Sequence, residues 1–185
     1  MRDQTNTRHG PHQRGEVKVG ALAVDKLTAI YLAWSPTGIV RLGFDDTVIS
    51  IDGAEQAEVP QPYAEKLKQY FAGEEVEPVD LPVDLSGTPF QLRVWEALRR
   101  IPRGSVRTYA GIASDVGSPR AMRAVGMANA ANPVAIVVPC HRVVEVRLRI
   151  GGYSAGLDRK RVLLELEGVR VEGDRVLPGQ LDLLI

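Results

Sequence analysis

Asn132-Pro133-Val134-Ala135-Ile136-Val137-Val138-Pro139-Cys140-His141-Arg142-Val143 is the stretch on which the reading of this chain turns. The apolar run 134–138 reads as a buried strand or extended segment. It ends at a proline and delivers the only cysteine of the chain, with a histidine directly behind it. A lone cysteine has two readings, a small buried hydrophobe or a reactive thiol. In a regular strand neighbouring side chains point to opposite faces, which keeps Cys140 and His141 apart. At a turn after Pro139 the two can communicate through one water. An imidazole that takes the thiol proton leaves a thiolate, which is the nucleophilic form. One cysteine also excludes an intramolecular disulfide and every structural zinc site that needs two or more.

On the N-terminal side the chain is punctuated as helices. Thr88-Pro89-Phe90-Gln91 is a capping box with proline at the first helical position. Phe90, Val94, Ala97, Leu98 and Ile101 then share one face, and Pro102-Arg103-Gly104 ends the helix. Tyr109, Ile112, Ala113 and Val116 predict a short helix closed by Gly117. Ser118-Pro119 is read as the cap of another, with Ala121, Val125 and Ala128 along one side. Two short helices joined by a glycine-containing turn form a helix-turn-helix pattern, a weak signal for DNA when taken alone. Further upstream, 28–34 and 39–44 are rich in strand formers and flank the turn signal Ser35-Pro36-Thr37-Gly38, which predicts a hairpin. Tyr63, Leu67, Tyr70 and Phe71 keep helical spacing up to Gly73. The acidic segment 45–61 reads as loop, and 74–86 reads as a connection between two subdomains.

On the C-terminal side, the glycine-rich stretch 151–156 precedes a helix over 157–167, stopped by Gly168. The resulting organisation is a disordered leader over 1–20, an N-terminal α/β domain over 21–86, a C-terminal domain over 87–172 and a tail over 173–185. The whole chain has 185 residues, 44% hydrophobic and 25% charged, as expected of globular protein. No apolar run approaches the ~20 residues of a membrane span, and the first 20 residues lack the apolar stretch of a secretory signal. A cytoplasmic location is expected, on the nucleoid if the source is bacterial. Formal net charge is zero, but 41–84 carries three Lys/Arg against eleven Asp/Glu, and 92–161 carries thirteen against four. A basic half beside an acidic one points to an anionic partner or to mutual neutralisation.

Taken together, these residues resemble one family, the O6-alkylguanine-DNA alkyltransferases. The resemblance runs from about 85 to 168. It is carried by Gly87-Thr88-Pro89-Phe90-Gln91 with Val94-Trp95, Ile101-Pro102 with Gly104, Tyr109, Ser118-Pro119-Arg120 and Arg123-Ala124-Val125-Gly126. It continues through Asn132-Pro133, Pro139-Cys140-His141-Arg142-Val143, Gly152-Tyr153-Ser154, and Lys160 with Leu163-Leu164-Glu165 and Glu167. It implies a small ribonuclease H-like α/β domain followed by a helical domain with a helix-turn-helix. It implies direct transfer of the alkyl group from O6-alkylguanine in double-stranded DNA to Cys140, one group per molecule, by a monomer with no cofactor and no metal.

The resemblance also assigns roles. His141 acts as base through a water, Glu167 orients His141, and Tyr109 donates toward the departing guanine. Val143, Tyr153 and Ser154 hold the base, and Asn132 braces the turn beside it. Met122, Arg123, Ala124 and Gly126 face DNA, with Arg123 filling the gap left by the flipped nucleotide. Such chemistry needs an extruded base, because an alkyl carbon inside the stack is out of reach.

The segment 144–150 departs from the family. A polar turn containing glycine belongs there, and Val144-Glu145-Val146-Arg147-Leu148-Arg149-Ile150 alternates like a strand. Two other readings stand beside the first. One is a lesion-binding relative impaired in transfer; the other is a cysteine hydrolase, for which no oxyanion signature stands out.

Overall fold

The computed structural model describes residues 17–24 and 28–177. Strands β1 (Lys18–Ala23), β2 (Ala29–Ser35) and β3 (Gly38–Gly43) pair antiparallel in succession. The short β4 (Glu55–Gln56) adds parallel to β1, giving the sheet order β3-β2-β1-β4. The expected hairpin is therefore β2–β3. Its turn needs Gly38, because a Cβ there would meet the Pro82 and Val83 backbone at 2.7–2.8 Å. Helix α1 (Gln61–Phe71) lays Ala64, Leu67 and Tyr70 onto the sheet, where Ile30, Leu32, Ile39 and Leu42 are buried. Each such aliphatic side chain contributes about 1.5–3 kcal/mol on burial.

Two expected boundaries are corrected here. The leader was placed through Gly20, yet Lys18–Ala23 is β1, hydrogen-bonded between β2 and β4. The glycine that disguised it is required, since a Cβ at Gly20 would lie 2.5 Å from the Ala57 carbonyl oxygen. Residues 1–16 lie outside the described residues. The tail was placed from 173, but Val171–Glu172 (β7) and Arg175–Val176 (β8) form an antiparallel hairpin around Gly173. Val176 is buried with Val106, Val144, Ile150, Leu164 and Val169.

The C-terminal domain is helical. Thr88 caps α2 (Pro89–Arg99) through the full reciprocal capping box. Thr108 caps α3 (Tyr109–Asp115) by accepting from the Gly111 N–H. Helix α4 (Met122–Ala130) follows and α5 (Leu157–Leu166) closes the domain. Ser118-Pro119 does not cap α4. The helix starts after Ala121 with no side-chain cap, while Ser118 accepts from Ala121 N–H as part of the preceding turn. The Trp95 indole N–H donates to the Ala128 carbonyl at 2.8 Å and fastens α2 to α4.

The run 134–138 is not a strand. It makes one bridge, to Leu42 on β3, and then turns, with Ile136 at φ 73°. Leu42 donates to the Pro133 carbonyl and accepts from Ala135 N–H, so the N-terminal hairpin carries this segment on its edge. The connection 74–86 docks on the same strand through the bridge between Ile39 and Val83.

The segment 144–150 is also not a strand beyond Val143–Val144 (β6), which pairs parallel with Arg107–Thr108 (β5). A turn over Val146–Leu148 follows, with Arg147 at φ 60° and Leu148 at φ 62°. It is closed by Glu145 N–H donating to the Arg149 carbonyl and tied to the C-terminal hairpin by Ile150 N–H on the Asp174 carbonyl. Alternating side chains suit a strand, but these tertiary hydrogen bonds decide the backbone.

Candidate active site and DNA-facing helix

Cys140 opens a 3₁₀ turn, Cys140–Arg142, at the end of the bent segment. Pro139 ends the apolar run and the turn swings three consecutive side chains into the interior. Cys140, His141 and Arg142 are all buried. Asn132 holds the bend from inside: its amide donates to the Val138 carbonyl at 2.8 Å and its carbonyl accepts from Val134 N–H at 3.1 Å. Both polar ends of this side chain are thus engaged within the bend.

His141 and Glu167 are brought together as expected. Imidazole Nε2 lies 2.9 Å from Glu167 Oε1, with both side chains withdrawn from solvent. A carboxylate can only accept, which assigns a hydrogen to Nε2 and, in the neutral imidazole, the lone pair to Nδ1. Nδ1 is buried and makes no hydrogen bond. Glu167 also accepts from Arg142 at both oxygens, at 2.8 and 3.0 Å, and from the Tyr70 hydroxyl at 2.8 Å. Burial pushes its carboxyl up, but His141 and Arg142 outweigh this and hold it well below the usual carboxylate range.

The thiol lies in a crowd of donors. Burial pushes the Cys140 thiol up, while Asn132, Lys160 and Tyr153 pull it back toward ionisation. The Tyr153 hydroxyl is buried with no other partner, facing the thiol. Tyr109, at the start of α3, is half-buried; burial raises its hydroxyl and the charges of Cys140 and Glu145 raise it further. Lys160 is fully buried, donating to the Val143 carbonyl at 2.6 Å and toward the Gly152 carbonyl at 3.3 Å. Its ammonium is lowered to about 8 by burial, opposed by Cys140 and Glu145. Val143 is buried beneath the thiol turn, and Ser154 is exposed on the neighbouring glycine-rich stretch.

Helix α4 turns Val125, Ala128 and Asn129 inward. Met122, Arg123 and Ala124 are exposed and Gly126 is half-exposed. The four sequence-predicted DNA-facing residues therefore line one accessible side, with Tyr109 beneath: a Cβ added at Gly126 would touch its ring at 4.0 Å. The sequence pattern carries Arg142 and Lys160 without a role, places Tyr70 only on a helix face and offers nothing for Glu77. The signal for the first two is charge inside an apolar pattern; for the last two there is none, because their partners lie far away along the chain.

Two family models match the chain. The model for the 6-O-methylguanine DNA methyltransferase ribonuclease-like domain matches residues 26–85, and the model for its DNA binding domain matches 89–169. A methylated-DNA–protein-cysteine methyltransferase of Mycobacterium tuberculosis is 52% identical over 113 residues, 61% of this chain and 68% of its own. One from Methanosarcina acetivorans is 43% identical over 148 residues, covering 72% of this chain and 94% of its own. The crystal structure of the M. tuberculosis O6-methylguanine methyltransferase superimposes with a TM-score of 0.72 at 38% identity, covering 85% of this chain and 96% of that one. The M. tuberculosis protein in complex with DNA gives 0.74 at 40% identity, covering 81% and 92%.

A buried thiol turn backed by a histidine and a carboxylate, beside a helix-turn-helix on a ribonuclease-like domain, defines a DNA-repair alkyltransferase. The chain belongs to the methylated-DNA–protein-cysteine methyltransferase family. Its partner is double-stranded DNA carrying O6-alkylguanine, and its activity is direct transfer of the alkyl group to a protein cysteine. Among the described residues no helix is long and apolar enough to cross a membrane.

Proposed function

We propose that Cys140 is the acceptor, His141 its base, Glu167 the group that orients His141, and Tyr109 the donor toward the departing guanine. One observation carries this reading: Glu167 fixes the imidazole by Nε2 and leaves Nδ1 as an unpartnered lone pair on the buried thiol turn. The thiol proton passes to His141 through a water. The sulfur then forms a bond to the alkyl carbon as the carbon–O6 bond breaks, and the electron pair leaves with guanine. Tyr109 donates a hydrogen bond or a proton to the base as that charge develops. The product is a thioether, which no second cysteine is present to resolve, so each molecule acts once.

The nucleotide reaches this site by leaving the stack, at a cost of a few kcal/mol. Arg123 occupies the gap, while the small residues Ala124 and Gly126 allow α4 to approach the groove closely beside the bulkier Met122. The backbone at Val143 and Ser154 holds the base edge, and Tyr153 closes the pocket over the thiol. We further propose a monomer acting in the cytoplasm, on the nucleoid if the source is bacterial.

The test is intact mass after mixing with excess duplex that carries one O6-methylguanine. A gain of one methyl, mapped to the Cys140 peptide and absent in Cys140→Ser, is expected. Lesion binding without any gain would overturn the acceptor role and favour a recognition protein.

A further inference from the structure

The buried and part-buried polar contacts around Glu167 close into a ring that spans both domains. Tyr70, on α1, donates to Glu167 Oε1, the same oxygen that faces His141. Arg142 holds both carboxylate oxygens and reaches on to Glu77 Oε2 at 3.3 Å. Glu77 Oε1 accepts from Arg103 N–H at 2.9 Å. Arg103 completes the circuit: its guanidinium lies 5.4 Å over the Tyr70 ring and donates to the Leu166 carbonyl, next to Glu167, at 2.8 Å. Tyr70 and Glu77 come from the N-terminal half, and the transfer chemistry above uses neither.

We infer that Tyr70 and Glu77 are positioning residues for His141, through which the N-terminal domain sets how strongly Glu167 polarises the imidazole. The inference rests on the reading of His141 as the thiol base. A carboxylate oxygen that already accepts from a tyrosine is a weaker acceptor for the imidazole N–H. Without the Tyr70 hydroxyl, Glu167 draws positive charge onto His141 more strongly. Glu77 works in the opposite sense. Its charge partly neutralises Arg142, and without it Arg142 bears undivided on Glu167. The other ionisable groups around the pair are Arg103 from the turn after α2, Cys140 and Arg142 from the 3₁₀ turn, and Lys160 from α5.

The experiment is the single-turnover methyl-transfer rate of the full chain on duplex with one O6-methylguanine, from roughly pH 5 to 9, a range that brackets histidine titration. Tyr70→Phe is expected to move the acidic limb up by about half a pH unit, and Glu77→Gln to move it down. A purely structural role scales the whole profile and moves neither limb. If both limbs superimpose on wild type while His141→Gln loses its limb, this inference is overturned and the base reading stands. If His141→Gln keeps the wild-type limb, the base reading falls and the inference with it. Should Tyr70→Phe fail to fold, Glu77→Gln decides alone, since that side chain is 34% exposed and tolerates substitution.

Discussion

Lys160 shows how far a single side chain reaches into this site. It is a cation at 0% exposure whose hydrogen bonds go to two main-chain carbonyls, one just after the thiol turn and one on the glycine-rich stretch. Its charge favours the Cys140 thiolate. Lys160→Met keeps the length and removes the charge. The thiol of that variant is expected to ionise at higher pH, so its reaction with a small alkylating reagent near neutral pH slows several-fold. A thiol-modification rate followed against pH checks this, and an unmoved profile would discard Lys160 as an electrostatic partner. Asn132 is the second residue of this kind. Asn132→Ala leaves Val134 N–H without its partner and Val138 C=O with Cys140 N–H alone, and a loss of about 1–3 kcal/mol is expected in chemical denaturation.

Elements differ in how much of them their own residues determine. Helix α2 is legible because it carries its start signal locally, in Thr88 with Gln91, and α3 is legible from its apolar spacing closed by Gly117, its Thr108 cap being visible only in the structure. The β2–β3 hairpin was legible for the same reason, from its turn residues. β1 was missed because Gly20 breaks the apolar pattern, and the reason for that glycine is the Ala57 carbonyl, far along the chain. The alternation across 144–150 promised a strand, and the hydrogen bond to Asp174 made a turn instead. That turn holds two residues other than glycine at positive φ, which costs each about 1 kcal/mol. Arg147 is exposed, so Arg147→Gly is expected to leave the fold intact and raise the melting temperature by a few degrees. A lowered melting point would mean that Arg147 makes a contact worth more than its strain. On α4, Arg123→Ala is expected to slow repair of duplex lesions strongly while transfer from the free alkylated base is little changed; equal losses on both would argue against a role in base extrusion.

The molecule as a whole is knitted at its functional centre. Tyr70 and Glu167 are 97 positions apart, and Arg142 and Glu77 are 65 apart. No local pattern in a sequence announces such pairs, which is why the thiol, histidine and carboxylate were readable only through the family resemblance and the ring around them was not. The same knot links the fold to pH. The Glu167 carboxyl sits below its ordinary value of 4.5 in the folded chain. It therefore adds stability above about pH 4.5, and that stability is lost as the medium is acidified through the folded value. Glu167→Gln removes this dependence. The variant is expected to be less stable at neutral pH, and its stability should fall less steeply on acidification. Denaturation midpoints at neutral and acidic pH measure the difference; parallel curves would show that Glu167 contributes no pH-dependent stability.

The near-complete enclosure of Cys140, at 3% exposure, has a meaning beyond its reactivity. A protein that spends its nucleophile in one event has no second chance to correct a wrong partner. Small electrophiles and oxidants in the surrounding medium meet little sulfur surface on the folded chain, whereas an alkylated base bound beside the thiol brings its alkyl carbon to the sulfur. Access thus serves as the criterion of choice: the lesion is favoured by being deliverable, and a freely diffusing electrophile reacts only slowly.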